Sequence, residues 1–119
     1  MSSKSTFTNT TSKSYALALY EFSEENSSVD MVENEMRGLN KLLNKNLDFK
    51  KTILSPLITT EDKQSVLLKI AEQNNFSLPA KKFLGFVAKN NRLFFLEKII
   101  KSFLNIVSHA KGELKARLV

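Results

Sequence analysis

The stretch Ser14-Tyr-Ala-Leu-Ala-Leu-Tyr-Glu-Phe22 decides the fold, because it predicts a helix that is apolar on nearly all sides. One face of that helix has the spacing i, i+3, i+4, i+7 and consists of Tyr15, Ala18, Leu19 and Phe22. Much of the other face consists of Ala16, Leu17 and Tyr20. Such a helix is normally covered on more than one side. It is either the centre of a bundle or packs its bundle on one flank and a partner on the other, and the sequence does not say which flank faces the bundle.

The composition is that of a soluble globular protein with one domain. The chain has 119 residues, of which 42% are hydrophobic and 25% charged. It contains no cysteine, which excludes disulfides, thiolate nucleophiles and thiolate metal sites. The longest uncharged apolar run, 15–20, is far shorter than the roughly 20 residues that a membrane helix needs.

The net charge of +6 raises the question of nucleic-acid binding. Only three of the 18 basic residues are arginine, and the clusters Lys50-Lys51 and Lys81-Lys82 have no interleaved exposed aromatic residues or arginine. They are more typical of solvated helix faces, so the sequence predicts that the partner is not a nucleic acid. A small helical RNA-binding or antitermination-type module and an unrelated helical adaptor stay open as alternatives.

Apolar spacing and capping residues predict an all-α protein, a six-helix bundle with the start of a β-strand at its C-terminal end. The predicted helices are about Thr11–Glu25, Val29–Asn46 and Leu47–Leu54, a fourth from Thr59-Thr60 to Asn74, a fifth from about Pro79 to Asn90, and a sixth over about Arg92–Lys111. Residues 1–10 are predicted to be a flexible leader, and residues 11–112 the helical domain. Residues 113–119, which alternate polar and apolar after Gly112, are predicted to be the first strand or a linker of a truncated C-terminal domain.

No pattern in the chain indicates catalysis. His109 is the only histidine, no set of ligand residues has the spacing of a metal site, and three glycines are too few for a phosphate-binding loop. Pairs such as Glu24-Glu25 are typical of solvated helix faces rather than of an acid–base pair. The sequence therefore predicts a protein that is not an enzyme, with no catalytic, cofactor-binding or metal-binding residues.

Four segments in order resemble the delta subunit of F-type ATP synthases, a family that includes the mitochondrial oligomycin-sensitivity-conferring protein. They are Tyr15-Ala-Leu-Ala-Leu-Tyr-Glu-Phe22, Leu54-Ser-Pro-Leu-Ile58 followed by Lys63, Phe83-Leu-Gly-Phe-Val-Ala-Lys-Asn-Asn-Arg-Leu93, and Gly112-Glu-Leu-Lys-Ala-Arg-Leu-Val119. The similarity covers residues 13–119 and corresponds to the N-terminal six-helix domain of the family. The family commonly has glycine at the position of Asn91, and asparagine tolerates the same left-handed backbone.

The resemblance implies a non-catalytic peripheral-stalk, or stator, subunit of the proton-translocating ATP synthase. In the family, this domain holds the N-terminal helix of an alpha subunit in a groove between its first and fifth helices. A C-terminal domain contacts the b-type stalk, so the subunit anchors the catalytic head against rotor torque. The implied location is the cytoplasmic side of the bacterial inner membrane, with the mitochondrial matrix as the alternative, and membrane contact is only indirect through the complex.

Carried onto this sequence, the implied groove has seven candidate residues. These are Tyr15, Ala18, Leu19, Phe22, Phe83, Phe86 and Asn90. Asn90 would cap the backbone of the bound helix at the end of the groove. Core packing is an equal alternative for the aromatic residues at positions 15, 83 and 86 and the favoured one for Leu19, and Ala16 and Tyr20 remain candidates.

Overall fold

Six α-helices build the fold, in a computed structural model that describes the backbone of residues 2–118 and the side chains of residues 10–112. The helices are α1 (Ser2–Glu25), α2 (Val29–Lys45), α3 (Leu47–Leu54), α4 (Thr60–Gln73), α5 (Leu78–Lys89) and α6 (Leu96–Leu118), and a 3₁₀ turn at Leu93–Phe95 precedes α6. The backbone described here contains no β-strand. The predicted all-α fold with six helices is confirmed.

Capping residues explain most of the helix boundaries. The Thr59 side chain accepts a hydrogen bond from the Asp62 N–H at 3.1 Å, as its position before α4 predicts. Asn91 has φ of 60° and ends the α5 segment in the left-handed conformation that the sequence indicated. Ser28 precedes α2 but does not cap it with its side chain, because its hydroxyl donates instead to the Ser23 carbonyl oxygen at 3.4 Å.

The first and the last helix of the chain are longer than the sequence predicts. α1 begins at Ser2 rather than near Thr11, and α6 continues through Gly112 to Leu118. The predicted strand start at residues 113–118 is therefore wrong, and Val119 lies outside the described residues. A strand needs a neighbour to complete its hydrogen bonds, whereas Glu, Leu, Lys, Ala and Arg are all good helix formers. Whether residues 1–10 are flexible, and whether 113–119 lead into another domain, remain predictions.

The core lies along α6, which packs against α1 and α2, while α4 packs against α5. Among the described side chains of α6, the fully or almost fully buried ones are Leu96, Ile99, Ile100, Phe103 and Val107. They repeat at the three-to-four spacing that the sequence predicts for its longest apolar stripe. Gly38 of α2, where a glycine inside a helix could indicate a close contact with another helix, lies instead on an open surface where an added Cβ would meet no atom within 4 Å.

The burial pattern of α1 shows which flank faces the bundle. Among the described side chains of α1, those of Ser12, Ala16, Leu19 and Ser23 are buried. Leu17 is 47% exposed and lies away from this stripe. The Ser23 hydroxyl can be buried because it donates to the Leu19 carbonyl oxygen of its own helix at 2.7 Å. α1 is therefore not enclosed on all sides, and part of its apolar surface is left outside the core.

A charge cluster ties α2 to the last described turns of α6. The Lys111 Nζ lies 2.7 Å from Glu33 Oε1 and 3.2 Å from Asp30 Oδ1, and Arg37 contacts Glu33 Oε2 at 2.8 Å. Glu33 is buried and both its oxygens are paired. The hydrogen bond from Lys111, and then that from Arg37, lowers the pKa of Glu33.

We expect the Glu33 interactions to make stability fall in acid. A lowered pKa in the folded state stabilises the protein at pH above the ordinary value of 4.5, and this contribution disappears as the pH falls through the folded-state pKa. Urea unfolding should therefore show wild type more stable than Glu33→Gln at about pH 7, with the difference shrinking at about pH 3. A difference that stays constant over this range would contradict the assignment.

Candidate partner-binding groove between α1 and α5

The N-terminal end of α5 is held by a carboxylate from α2. Glu35 accepts hydrogen bonds from the backbone N–H of Ser77 and from its hydroxyl, the latter at 2.7 Å. Ser77 is the N-cap residue, but its own side chain does not cap the helix. The Glu35 carboxylate therefore satisfies a donor at the positive end of the helix, where a negative charge is favourable. Pro79 in the first turn needs no hydrogen-bond partner for its nitrogen.

Hydrogen bonds within the last turn of α5 and from α4 stabilise the rest of the helix. The Asn90 Nδ2 donates to the Phe86 carbonyl oxygen at 2.8 Å, which satisfies an acceptor in the last turn. The Gln64 Nε2 of α4 donates to the Gly85 carbonyl oxygen at 3.3 Å. Thr60, at the start of α4, donates its hydroxyl to Asn91 Oδ1 at 3.2 Å. α5 is thus anchored to α2 at one end and to α4 along its length.

An apolar groove lies between α1 and this anchored helix. The rings of Tyr15 and Phe86 meet across it with their centroids 5.7 Å apart and tilted by 35°. Beside this contact is an open cavity of about 220 Å³, lined by Ala18, Phe22, Lys82, Phe83 and Phe86. We call the surface formed by these five residues and Tyr15 the α1–α5 groove. Its lining is apolar except for Lys82.

Most of the residues predicted for the groove meet there. Phe86 is 53% exposed and Ala18 is exposed, Tyr15 and Phe22 are partly buried, and Phe83 is 6% exposed with a face on the cavity. Phe83 therefore contributes both to the core and to the groove floor.

Two of the predicted residues lie elsewhere. Leu19 is fully buried in the core. Asn90 is exposed and does not line the cavity, and its amide group is already bonded to its own helix. Sequence reasoning missed Lys82, because the pair Lys81-Lys82 is typical of a solvated helix face. The available signal was its position next to Phe83 and one turn before Phe86.

Some exposed apolar side chains do not line the groove cavity. Leu57, in the loop between α3 and α4, is 92% exposed, and Phe94 of the 3₁₀ turn is 60% exposed. The Lys63 Nζ lies 5.4 Å from the centre of the Phe94 ring, within the range of a cation–π interaction. These residues do not form a lined cavity with the groove residues.

The described part of the chain contains no group of three or more acidic, histidine or cysteine residues arranged to hold a metal ion. Among the same residues, no helix has the length and apolar character needed to cross a bilayer.

Comparison with known proteins matches this chain to one family of proteins. The family model described as "ATP synthase delta (OSCP) subunit" matches residues 11–119. The ATP synthase subunit delta of Pelagibacter ubique is 36% identical over 118 residues, which are 99% of this chain and 64% of that protein. The subunit delta of Rhodospirillum rubrum is 35% identical over 105 residues, 88% of this chain and 56% of that protein.

A third relative, the ATP synthase subunit delta of Rhizobium johnstonii, is 33% identical over 104 residues, 87% of this chain and 55% of that protein. This chain thus spans between about half and two thirds of the length of the curated relatives it matches. The family match begins within α1 and includes all the residues of the α1–α5 groove. The chain belongs to the ATP synthase delta (OSCP) subunit family.

Proposed function

We propose that this chain is a non-catalytic stator subunit of an F-type ATP synthase whose α1–α5 groove holds the N-terminal helix of an alpha subunit. Its task is mechanical: it anchors the catalytic head against the torque of the rotor. It acts on the cytoplasmic side of the bacterial inner membrane as a peripheral part of the complex. The proposal concerns residues 11–112, and the contact with the b-type stalk, which the resemblance assigns to a C-terminal domain, is no part of it.

The α1–α5 groove is the single observation that carries this proposal. α1 packs its bundle with one flank and leaves Ala18 and part of Phe22 on the other, facing Phe86 of α5. A trough between two helices, lined by apolar side chains, accepts the apolar face of a third helix through anchors at i, i+3, i+4 and i+7. The small side chain of Ala18 allows that helix to come close to the α1 backbone.

The aromatic residues of the groove supply the affinity. Tyr15 and Phe86 already contact each other, so part of their side-chain freedom is lost before a partner binds. Large rigid aromatic side chains at the centre of an interface are the usual hot spots, each worth about 2 kcal/mol or more on truncation. The hydrogen bonds from Glu35 of α2 and Gln64 of α4 hold α5 in place and preform the groove.

A binding titration tests the proposal. A synthetic peptide with the sequence of the matching alpha-subunit N-terminus should bind the full chain with a Kd below about 1 μM. A peptide with the same composition in scrambled order should not bind, because its apolar residues no longer form one stripe.

The alternative role in RNA binding predicts a different result. It requires binding to RNA with a log–log salt slope of several units. If the chain binds RNA in this way and does not bind the alpha-subunit peptide, the stator proposal is wrong.

A further inference from the structure

We propose that the helix bound in the α1–α5 groove carries carboxylates along the flank that faces α5, and that three lysines of α5 receive them. This inference rests on the proposed function, since it specifies the chemistry of the partner at the same groove. The lysines are Lys81, Lys82 and Lys89, and we call the surface they form with Gln64 and Leu68 the basic shelf.

The basic shelf is continuous with the groove. It surrounds an open depression of about 400 Å³ between α4 and α5, lined by Gln64, Leu68, Lys81, Lys82, Gly85, Phe86 and Lys89. Lys82 and Phe86 line both this depression and the groove cavity. A helix seated against Phe86 therefore has one flank directly over the shelf.

The shelf lysines have no carboxylate partner among the described residues. The ion pairs found there place Lys50 against Glu97, and Lys111 against Asp30 and Glu33. The pairs of these two lysines join separate helices of the bundle. None of the ion pairs involves the three lysines of the shelf. Their charges are thus available to a partner.

The opposite side of the groove has the opposite charge. Ala18 lines the groove on α1, and Glu21 and Glu25 follow it at i+3 and i+7, so they lie on the same face of that helix. Both glutamates are exposed. A helix lying in the groove therefore has basic side chains along its α5 flank and acidic side chains along its α1 flank.

This charge arrangement selects one kind of helix. A partner with an apolar stripe, glutamate or aspartate on the α5 flank and lysine or arginine on the α1 flank meets opposite charges on both sides. The same helix rotated about its axis, or one with the flanks exchanged, meets like charges. The apolar contacts hold the helix, and the flanking charges decide its rotation and speed its association.

The test uses the full chain and three designed amphipathic peptides of about 20 residues, a length at which helices of good formers are populated. The peptides share one apolar stripe and differ at the flank positions that face α5, which carry Glu, Gln or Lys. We expect the Glu peptide to bind about tenfold more tightly than the Gln peptide at low salt, and the Lys peptide most weakly. High salt should shrink these differences.

A charge-reversed chain is the matched comparison. In the triple variant Lys81→Glu, Lys82→Glu, Lys89→Glu, the order of the three peptides should reverse. The control variant Lys41→Glu, Lys98→Glu, Lys101→Glu has the same net charge and changes exposed lysines on α2 and α6. It should keep the wild-type order, which separates a local effect of the shelf from an effect of total charge.

The outcomes separate this inference from the proposed function. If all three peptides bind with equal affinity, and Phe86→Ala weakens each of them, the groove binds a helix and the role of the shelf is wrong. The same holds if the triple variant leaves the order unchanged. If none of the peptides binds, the inference is overturned, and the alpha-subunit peptide tests the proposed function separately. If the peptides bind but alanine at Tyr15 and at Phe86 leaves their affinity unchanged, both the inference and the groove of the proposed function are overturned.

Discussion

Replacing Phe86 with alanine should weaken binding of the alpha-subunit peptide at least about tenfold without unfolding the bundle. Phe86 is more than half exposed and forms the α5 wall of the groove. Its truncation removes apolar surface from the partner's site, while little of the chain's own core is lost. Isothermal titration gives the change in Kd, and circular dichroism with urea unfolding checks that the fold is retained.

Phe94 provides the matched control for this experiment. It is also a largely exposed phenylalanine, but it lies on the 3₁₀ turn and does not line the groove. Phe94→Ala should leave the Kd within about twofold of wild type, as expected for a residue outside the interface. If alanine at both Tyr15 and Phe86 leaves binding unchanged, the partner does not use the α1–α5 groove.

Leu19→Ala should reduce the free energy of unfolding by about 2–5 kcal/mol, which is the usual cost of emptying a leucine site in a core. Leu17→Ala should cost far less, about 0.5 kcal/mol or less beyond the small change in helix propensity. The two leucines are two positions apart on α1, and Leu19 is fully buried whereas Leu17 is 47% exposed. Urea unfolding of both variants measures the difference.

The pair of leucine variants also tests which flank of α1 faces the bundle. If the two substitutions destabilise the protein equally, Leu17 is as deeply packed as Leu19 and the burial pattern assigned to α1 is wrong. A large difference between them supports a helix that is covered by its own bundle on one side only.

Most of the fold could be predicted from the sequence because residues that end or cap helices stand between most of the helices. Asn46, Thr59 and Asn91 are placed where capping or left-handed residues are needed, and the structure uses them there. The start of α1 at Ser2 and the end of α6 at Leu118 do not follow from the sequence pattern. A helix continues there because each added residue costs little once the helix has formed, which the alternating pattern near the C-terminus concealed.

The groove could be predicted only in part, because a pattern of apolar residues does not show where a core ends. Tyr15, Leu19 and Phe22 lie on one predicted face, yet Leu19 is in the core and the other two border the groove. The centre of the buried flank is displaced toward Ser12 and Ser23, which a hydropathy pattern assigns to the surface. For Ser23 the reason is the hydrogen bond to its own helix, which removes the cost of burying the hydroxyl.

The contact between Glu35 and Ser77 could not be predicted at all. It joins residues 42 positions apart, and no local pattern indicates it. It becomes visible only when α2 and the start of α5 are placed side by side. This contact matters for the site because it holds the N-terminal end of the helix that carries Phe83 and Phe86.

Mapping the contact surface by NMR tests the central claim most directly. The full chain, labelled with ¹⁵N, is titrated with the alpha-subunit peptide and the backbone amide shifts are followed. The largest changes should occur at Ala18, Phe22 and Lys82–Phe86, on the two helices that border the groove. Changes confined to the exposed loop around Leu57 and to the 3₁₀ turn, with α1 and α5 unaffected, would contradict binding of a helix between α1 and α5.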